Sequence, residues 1–111
     1  RLETMVLKGR IQIMSGQYRK ALSVLQEAHE RARLADLPSV SEYARALMAE
    51  ALWGMNSREQ ASGMFESACL GLMATGHMAI LVMAVSSWSH AMVAHIDPET
   101  IFSSVQKFME K

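Results

Sequence analysis

Three of the four histidines, His77, His90 and His95, fall in the last third of the chain, and imidazoles are the first groups here that could do chemistry. A helical metal site presents paired ligands at i and i+4, which puts both rings on one face. His90 and His95 stand five apart, His77 lies thirteen further back, and no carboxylate or thiol lies between them. That spacing reads as solvated or core-edge histidines and predicts no metal. The one cysteine, Cys69, sits between Ala68 and Leu70 with no His or basic neighbour to lower its pKa, so it reads as a buried, inert thiol. A lone cysteine also excludes a disulfide scaffold and fits a reducing, cytoplasmic compartment. The Asp, Glu and Ser residues form no nucleophile elbow, phosphate loop or metal-ligand spacing. The expectation is a protein that is not an enzyme and carries no cofactor.

Binding is the better prospect. Arg10, Arg19, Lys20, Arg31, Arg33 and Arg45 make a loose basic set in the first half, with Glu27, Glu30, Glu42 and Glu50 interleaved. Most of these read as solvated helix faces. Eleven basic and eleven acidic residues give a net charge of zero, so no global field favours nucleic acid or an acidic membrane. Between Leu70 and Ile96 there is no Asp, Glu, Lys or Arg, a stretch long enough to span a bilayer by length alone. Thr75-Gly76-His77 breaks it as a turn would, and Ser86, Ser87, Ser89 and His90 interrupt the apolar run, so no membrane span is expected.

The elements that must position these residues are helical. Half of the 111 residues are hydrophobic but only 6% are aromatic, with ten methionines and just two prolines. Such composition suits close helix packing in one modest domain. Periodicity places helices at about Leu2 to Ser15, Gln17 to Ala35, Val40 to Met55, Ser57 to Ala74 and His77 to His95, with a sixth opening at Asp97-Pro98. Gly16, Asn56 and Gly76 are natural stops because they accept positive φ. Ser39 with Glu42 and Ser57 with Gln60 read as capping boxes. The chain opens at Arg1, already in helical phase, which reads as a piece of a longer protein.

One pattern recurs forty positions apart. Gly16, Ala21, Leu25 and Ala28 are answered by Asn56, Ala61, Phe65 and Ala68, and more weakly by Ile101, Val105 and Phe108. A fixed period of this size means stacked supersecondary units. Gly9, Gly16, Tyr18, Ala21, Leu25 and Ala28 stand at the spacing of the tetratricopeptide repeat, and Ala49, Asn56, Ala61, Phe65 and Ala68 fill the same places in the second unit. The chain thus resembles the elongated tetratricopeptide-like repeats of bacterial regulators of the maltose-activator type. Met5 and Arg45 replace the first-helix aromatic, and Gln12 and Leu52 the later tyrosine. Small residues at Gly9, Ala49 and Ser89, met by Ala21 and Ala61, would let paired helices approach.

The resemblance implies an all-α, right-handed superhelix of three antiparallel hairpins, over residues 1–36, 37–76 and 77–111, with first helices lining a concave face. It also implies a non-catalytic protein-protein interaction or oligomerisation module of a cytoplasmic protein. The alternative is a ligand-sensing domain of a bacterial transcriptional regulator, signalling ATPase or kinase. Candidate partner-binding residues are Lys8, Arg10, Gln12, Arg45, Met48, Glu50, Leu52 and Trp53, with Met14 and Met55 as further adaptable apolar contacts. A peptide groove should expose Arg45 and Glu50, whereas a sensor should enclose a pocket lined by Trp53, Met48 and Trp88. Self-association through the apolar 77–111 hairpin is the other expected partnership.

Overall fold

The computed structural model describes residues 1–94 together with 106, 107 and 109. Five α-helices fill the first of these ranges: α1 (Leu2–Met14), α2 (Tyr18–Leu34), α3 (Pro38–Gly54), α4 (Arg58–Ala74) and α5 (Met78–Ala94). No strand occurs among the described residues. The sixth helix expected after Asp97-Pro98, and the repeat positions Ile101, Val105 and Phe108, lie outside them.

From α2 onward the helices begin at residues 18, 38, 58 and 78, a spacing of 20 that halves the period of 40 in the sequence. One turn accounts for it. Gly16, Asp36, Asn56 and Gly76 all take positive φ, between 57° and 77°. The next residue's N–H reaches back to a carbonyl of the finished helix: Gln17 to Gln12, Leu37 to Ala32, Ser57 to Leu52 and His77 to Leu72, all at 2.8–3.0 Å. These are Schellman closures, which satisfy carbonyls that a helix end leaves open. Glycine adopts this backbone freely and Asn or Asp at modest cost. The sequence pointed to three of the four positions, and Asp36 is the addition.

The same turn rules out the two capping boxes. Helix α3 starts at Pro38 with Leu37 as its N-cap, so Ser39 lies inside the first turn. Ser57 is the N-cap of α4 but makes no side-chain cap bond. A capping box needs the N-cap N–H free to receive the later Glu or Gln side chain. At Leu37 and Ser57 that N–H already closes the preceding helix.

Helix α3 organises the rest. It packs against each of the other four helices, while the backbones of α2 and α4 do not approach one another closely. Helices α1, α3 and α5 therefore form one layer, with α2 and α4 behind it. A helix enclosed by so many neighbours must bury residues on several sides, and α3 buries nine, from Ser41 and Ala44 through Leu52, with Ser41 and Glu50 the polar ones among them. Alanines carry much of this packing: Ala21, Ala28, Ala44, Ala49, Ala51, Ala61 and Ala68 are fully buried, around Leu25, Leu47 and Leu72. A small residue at such a contact lets two backbones approach, and a leucine beside it fills the remaining volume. At the α1–α2 crossing Gly9 faces Leu25 so closely that a Cβ on Gly9 would stand 2.6 Å from Leu25 Cγ and Cδ2. Ala49 and Ala61 pack in one cluster with Leu52 and Trp88, as the spacing of small residues predicts, whereas Ser89 is exposed.

Two polar ties fix α3 laterally. Ser41 Oγ lies 2.8 Å from His29 Nδ1, linking α3 to α2. Arg45 donates to Glu42 Oε2 at 2.9 Å and to Ser67 Oγ on α4, also at 2.9 Å.

Candidate binding groove

A groove runs between α1, α3 and α5, the layer formed by alternate helices. Each helix contributes one face at helical spacing. Arg10, Ile13 and Met14 come from α1, Tyr43 and Glu50 from α3, and Val82, Met83, Ser86, Ser87, His90 and Ala91 from α5, with Tyr18 at the start of α2 closing one end. The cavity measures about 840 Å³. A narrower recess of about 260 Å³, lined by Val6, Leu7, Val40 and Ile80 among others, shares Arg10, Tyr43 and Met83 with it.

Glu50 is the chemical centre of this groove. It lines the cavity yet is only 5% exposed, and its Oε2 has no hydrogen-bond partner. Burial raises its carboxyl above the usual carboxylate range, while the Ser87 hydroxyl and the positive charge of Arg10 act in the opposite direction. No basic side chain among the described residues forms an ion pair with it. The neighbouring Tyr43 phenol is also raised, by burial first and by Glu50, against the opposing charge of Arg10.

The sequence candidates divide. Arg10 and Glu50 line the groove, as does Met14. Lys8 is exposed on α1 and lines neither cavity. Gln12 is half-buried, with Oε1 enclosed and without a hydrogen-bond partner. Met48 belongs to the core with Val6, Leu25 and Ala44, and Leu52 to the core with Ala49, Ala61 and Trp88. Trp53 makes an edge-on contact with Trp88 at 5.4 Å, Phe65 stacks on Trp88 at 4.5 Å, and the Arg58 guanidinium lies 4.6 Å over the Trp53 ring. The pocket of Trp53, Met48 and Trp88 that a ligand sensor was expected to enclose is not found: these side chains pack into the core and line neither cavity. Nor are Arg45 and Glu50 exposed as a peptide groove was expected to leave them, since Arg45 is half-buried against Glu42 and Ser67, and Glu50 is buried. Helix geometry supplies the reason. Arg45 is two residues from Tyr43, about 200° around the helix, so it turns to α4 when Tyr43 faces the groove.

The groove residues that sequence reasoning passed over are Ile13, Tyr18, Tyr43, Val82, Met83, Ser86, Ser87, His90 and Ala91. One signal for them existed. Ser86, Ser87 and His90 interrupt the apolar run of α5, and 82, 83, 86, 87 and 90 recur at the spacing of a single helical face. Elsewhere, Cys69 is half-buried and not fully buried as expected, and that burial raises its thiol pKa, which favours the protonated form. Among the described residues no three His, Cys, Asp or Glu side chains come together as metal ligands, and no helix is long and apolar enough to cross a membrane.

Comparison of the chain with protein-family models, curated proteins and solved structures gives no match. The class that the coordinates define is an all-α array of helices, each packed on its neighbours, as a helical repeat requires.

Proposed function

We propose that the chain is a tetratricopeptide-like right-handed superhelix of antiparallel hairpins, and that it acts as a protein-interaction module holding a partner segment between α1, α3 and α5. The single observation that carries this reading is the groove itself. Three helices from separate hairpins each give it one face, and those faces mix apolar walls with Arg10, Glu50 and His90. Regular helix spacing, identical turns and the two-layer order support the architecture. The test is a titration of the chain, carrying ¹³C-methyl methionine, with a mixed pool of synthetic octapeptides. Met14 and Met83 methyl signals should move while that of the buried Met48 stays. Peptides that leave Met14 and Met83 unmoved count against the reading.

A second reading is ligand sensing, favoured by the cavity volume of about 840 Å³, which falls in the range that small organic ligands occupy. A small-molecule library read on the same methyl signals separates it from peptide binding. Oligomerisation is the remaining form of the interaction reading. Met78, Val82, Val85 and Val93 are exposed on α5, and light scattering across a concentration series reports any dimer directly.

A further inference from the structure

We infer that the outer face of α1 docks on the outer face of α4 in a second copy of this chain, with the two helices running parallel. Within one chain α1 and α4 do not pack together, so the contact joins two molecules. The inference goes beyond the groove reading, and its test uses residues that line neither cavity.

The forty-residue repeat marks the face of α1. In α3, Ala44, Leu47, Met48 and Ala51 are 0–5% exposed and pack on the first hairpin with Val6 and Leu25. Their counterparts forty residues earlier, Thr4, Leu7, Lys8 and Ile11, are exposed. Leu7, Ile11 and Met14 lie along one side of α1 at steps of four and three, and each is more than half exposed. An apolar stripe of this kind is the mark of an interaction surface.

The same comparison marks α4. On the surface of α2, Glu27 pairs with Arg31 and Glu30 with Arg33. Forty residues on stand Ser67, Gly71, Leu70 and Met73, so the charge that solvates α2 is gone. Leu70 and Met73 are more than half exposed, and the exposed small residues Gly63, Ser67 and Ala74 share the side of Leu70. They leave room for the larger Leu7, Ile11 and Met14.

Charge selects the partner and the direction. Arg1 and Lys8 flank the α1 stripe seven residues apart, and Glu59 and Glu66 flank the α4 face seven residues apart. All four are exposed, and none forms an ion pair among the described residues. Equal spacing lets both opposite-charge pairs form in one register. Viewed from each N-terminus, the basic pair lies clockwise of its stripe and the acidic pair anticlockwise, which brings them together when the helices run parallel.

Because α1 and α4 are different surfaces, each copy takes one neighbour on either, and the contact propagates as an open chain. The experiment is light scattering of the 111-residue chain over a concentration series. Mean mass should rise past that of a dimer without a plateau, and less steeply at high salt. Ile11→Glu should abolish the rise with an unchanged helical circular dichroism spectrum. Lys8→Glu and Glu66→Lys should each weaken association about 5-fold or more. An equimolar mixture of those two variants should recover it, since an alternating chain again sets opposite charges together at every contact. A monomer at every concentration overturns the proposal, and so does a closed dimer. Association that both charge variants leave unchanged overturns it as well. Loss of association in Val85→Glu but not in Ile11→Glu assigns the contact to α5 instead.

Discussion

Replacing Gly9 by alanine tests the α1–α2 crossing with a one-carbon change. In an unhindered helix interior the substitution stabilises by about 0.5–1 kcal/mol, because alanine loses less backbone freedom than glycine. At Gly9 the added Cβ would stand 2.6 Å from both Cγ and Cδ2 of Leu25. Cγ is the branch point of that side chain, so rotating its far end gives no relief. Leu25 itself is fully buried, and overpacking of such a site costs about 1–3 kcal/mol. Net destabilisation by about 1 kcal/mol is therefore expected.

Gly63 provides the control. It lies inside α4, is exposed, and a Cβ there meets nothing within 4 Å. Gly63→Ala should stabilise by the full propensity gain, so the two variants should differ by about 1–3 kcal/mol, the overpacking cost alone. Urea unfolding followed by circular dichroism measures this as a difference in midpoint at constant slope. In a Leu25→Ala background the clash disappears, and Gly9→Ala should then stabilise as Gly63→Ala does. Equal midpoint shifts for Gly9→Ala and Gly63→Ala in the parent chain would refute the close crossing of α1 and α2.

Three further outcomes are expected. Ala61→Leu adds three carbons to a fully exposed-free site beside Ala49, Leu52 and Trp88 and should cost about 1–3 kcal/mol or more in the same unfolding assay. Asp36→Gly and Asn56→Gly, at φ 57° and 67°, should each raise the unfolding free energy by up to about 1 kcal/mol, because glycine adopts that backbone without a Cβ penalty; a loss of stability would count against the turn geometry. Glu50→Gln should raise the melting temperature at pH 7, since burial lifts the native carboxyl pKa above its unfolded value. The proton is then held more tightly by the native state, so stability falls as pH rises from the unfolded pKa through the native one. The advantage of Glu50→Gln should accordingly shrink as the medium is acidified into the carboxylate range. The polar and titratable groups that line the same cavity are Arg10 on α1, Tyr18 on α2, Tyr43 on α3, and Ser86, Ser87 and His90 on α5, so the comparison between the two proteins, and not either curve alone, isolates this carboxyl.

The sequence by itself determined what depends on near neighbours. Helix ends at Gly16, Asn56 and Gly76 were legible because few residues accept a left-handed backbone. The small residues Gly9, Ala21, Ala49 and Ala61 were legible because a forty-residue echo repeats one packing contact. Asp36 escaped notice because aspartate more often signals an N-cap than a left-handed turn. Only the tertiary structure decided which face of α3 meets which neighbour. That helix buries residues on several sides, Ser41 and Glu50 among them, and which neighbour covers each side is settled by helices distant in sequence. That choice places Met48 and Leu52 in the core and turns Arg45 to Ser67. It also buries the Glu50 carboxylate against an open cavity, where Arg10 and Ser87 arrive from opposite ends of the described chain.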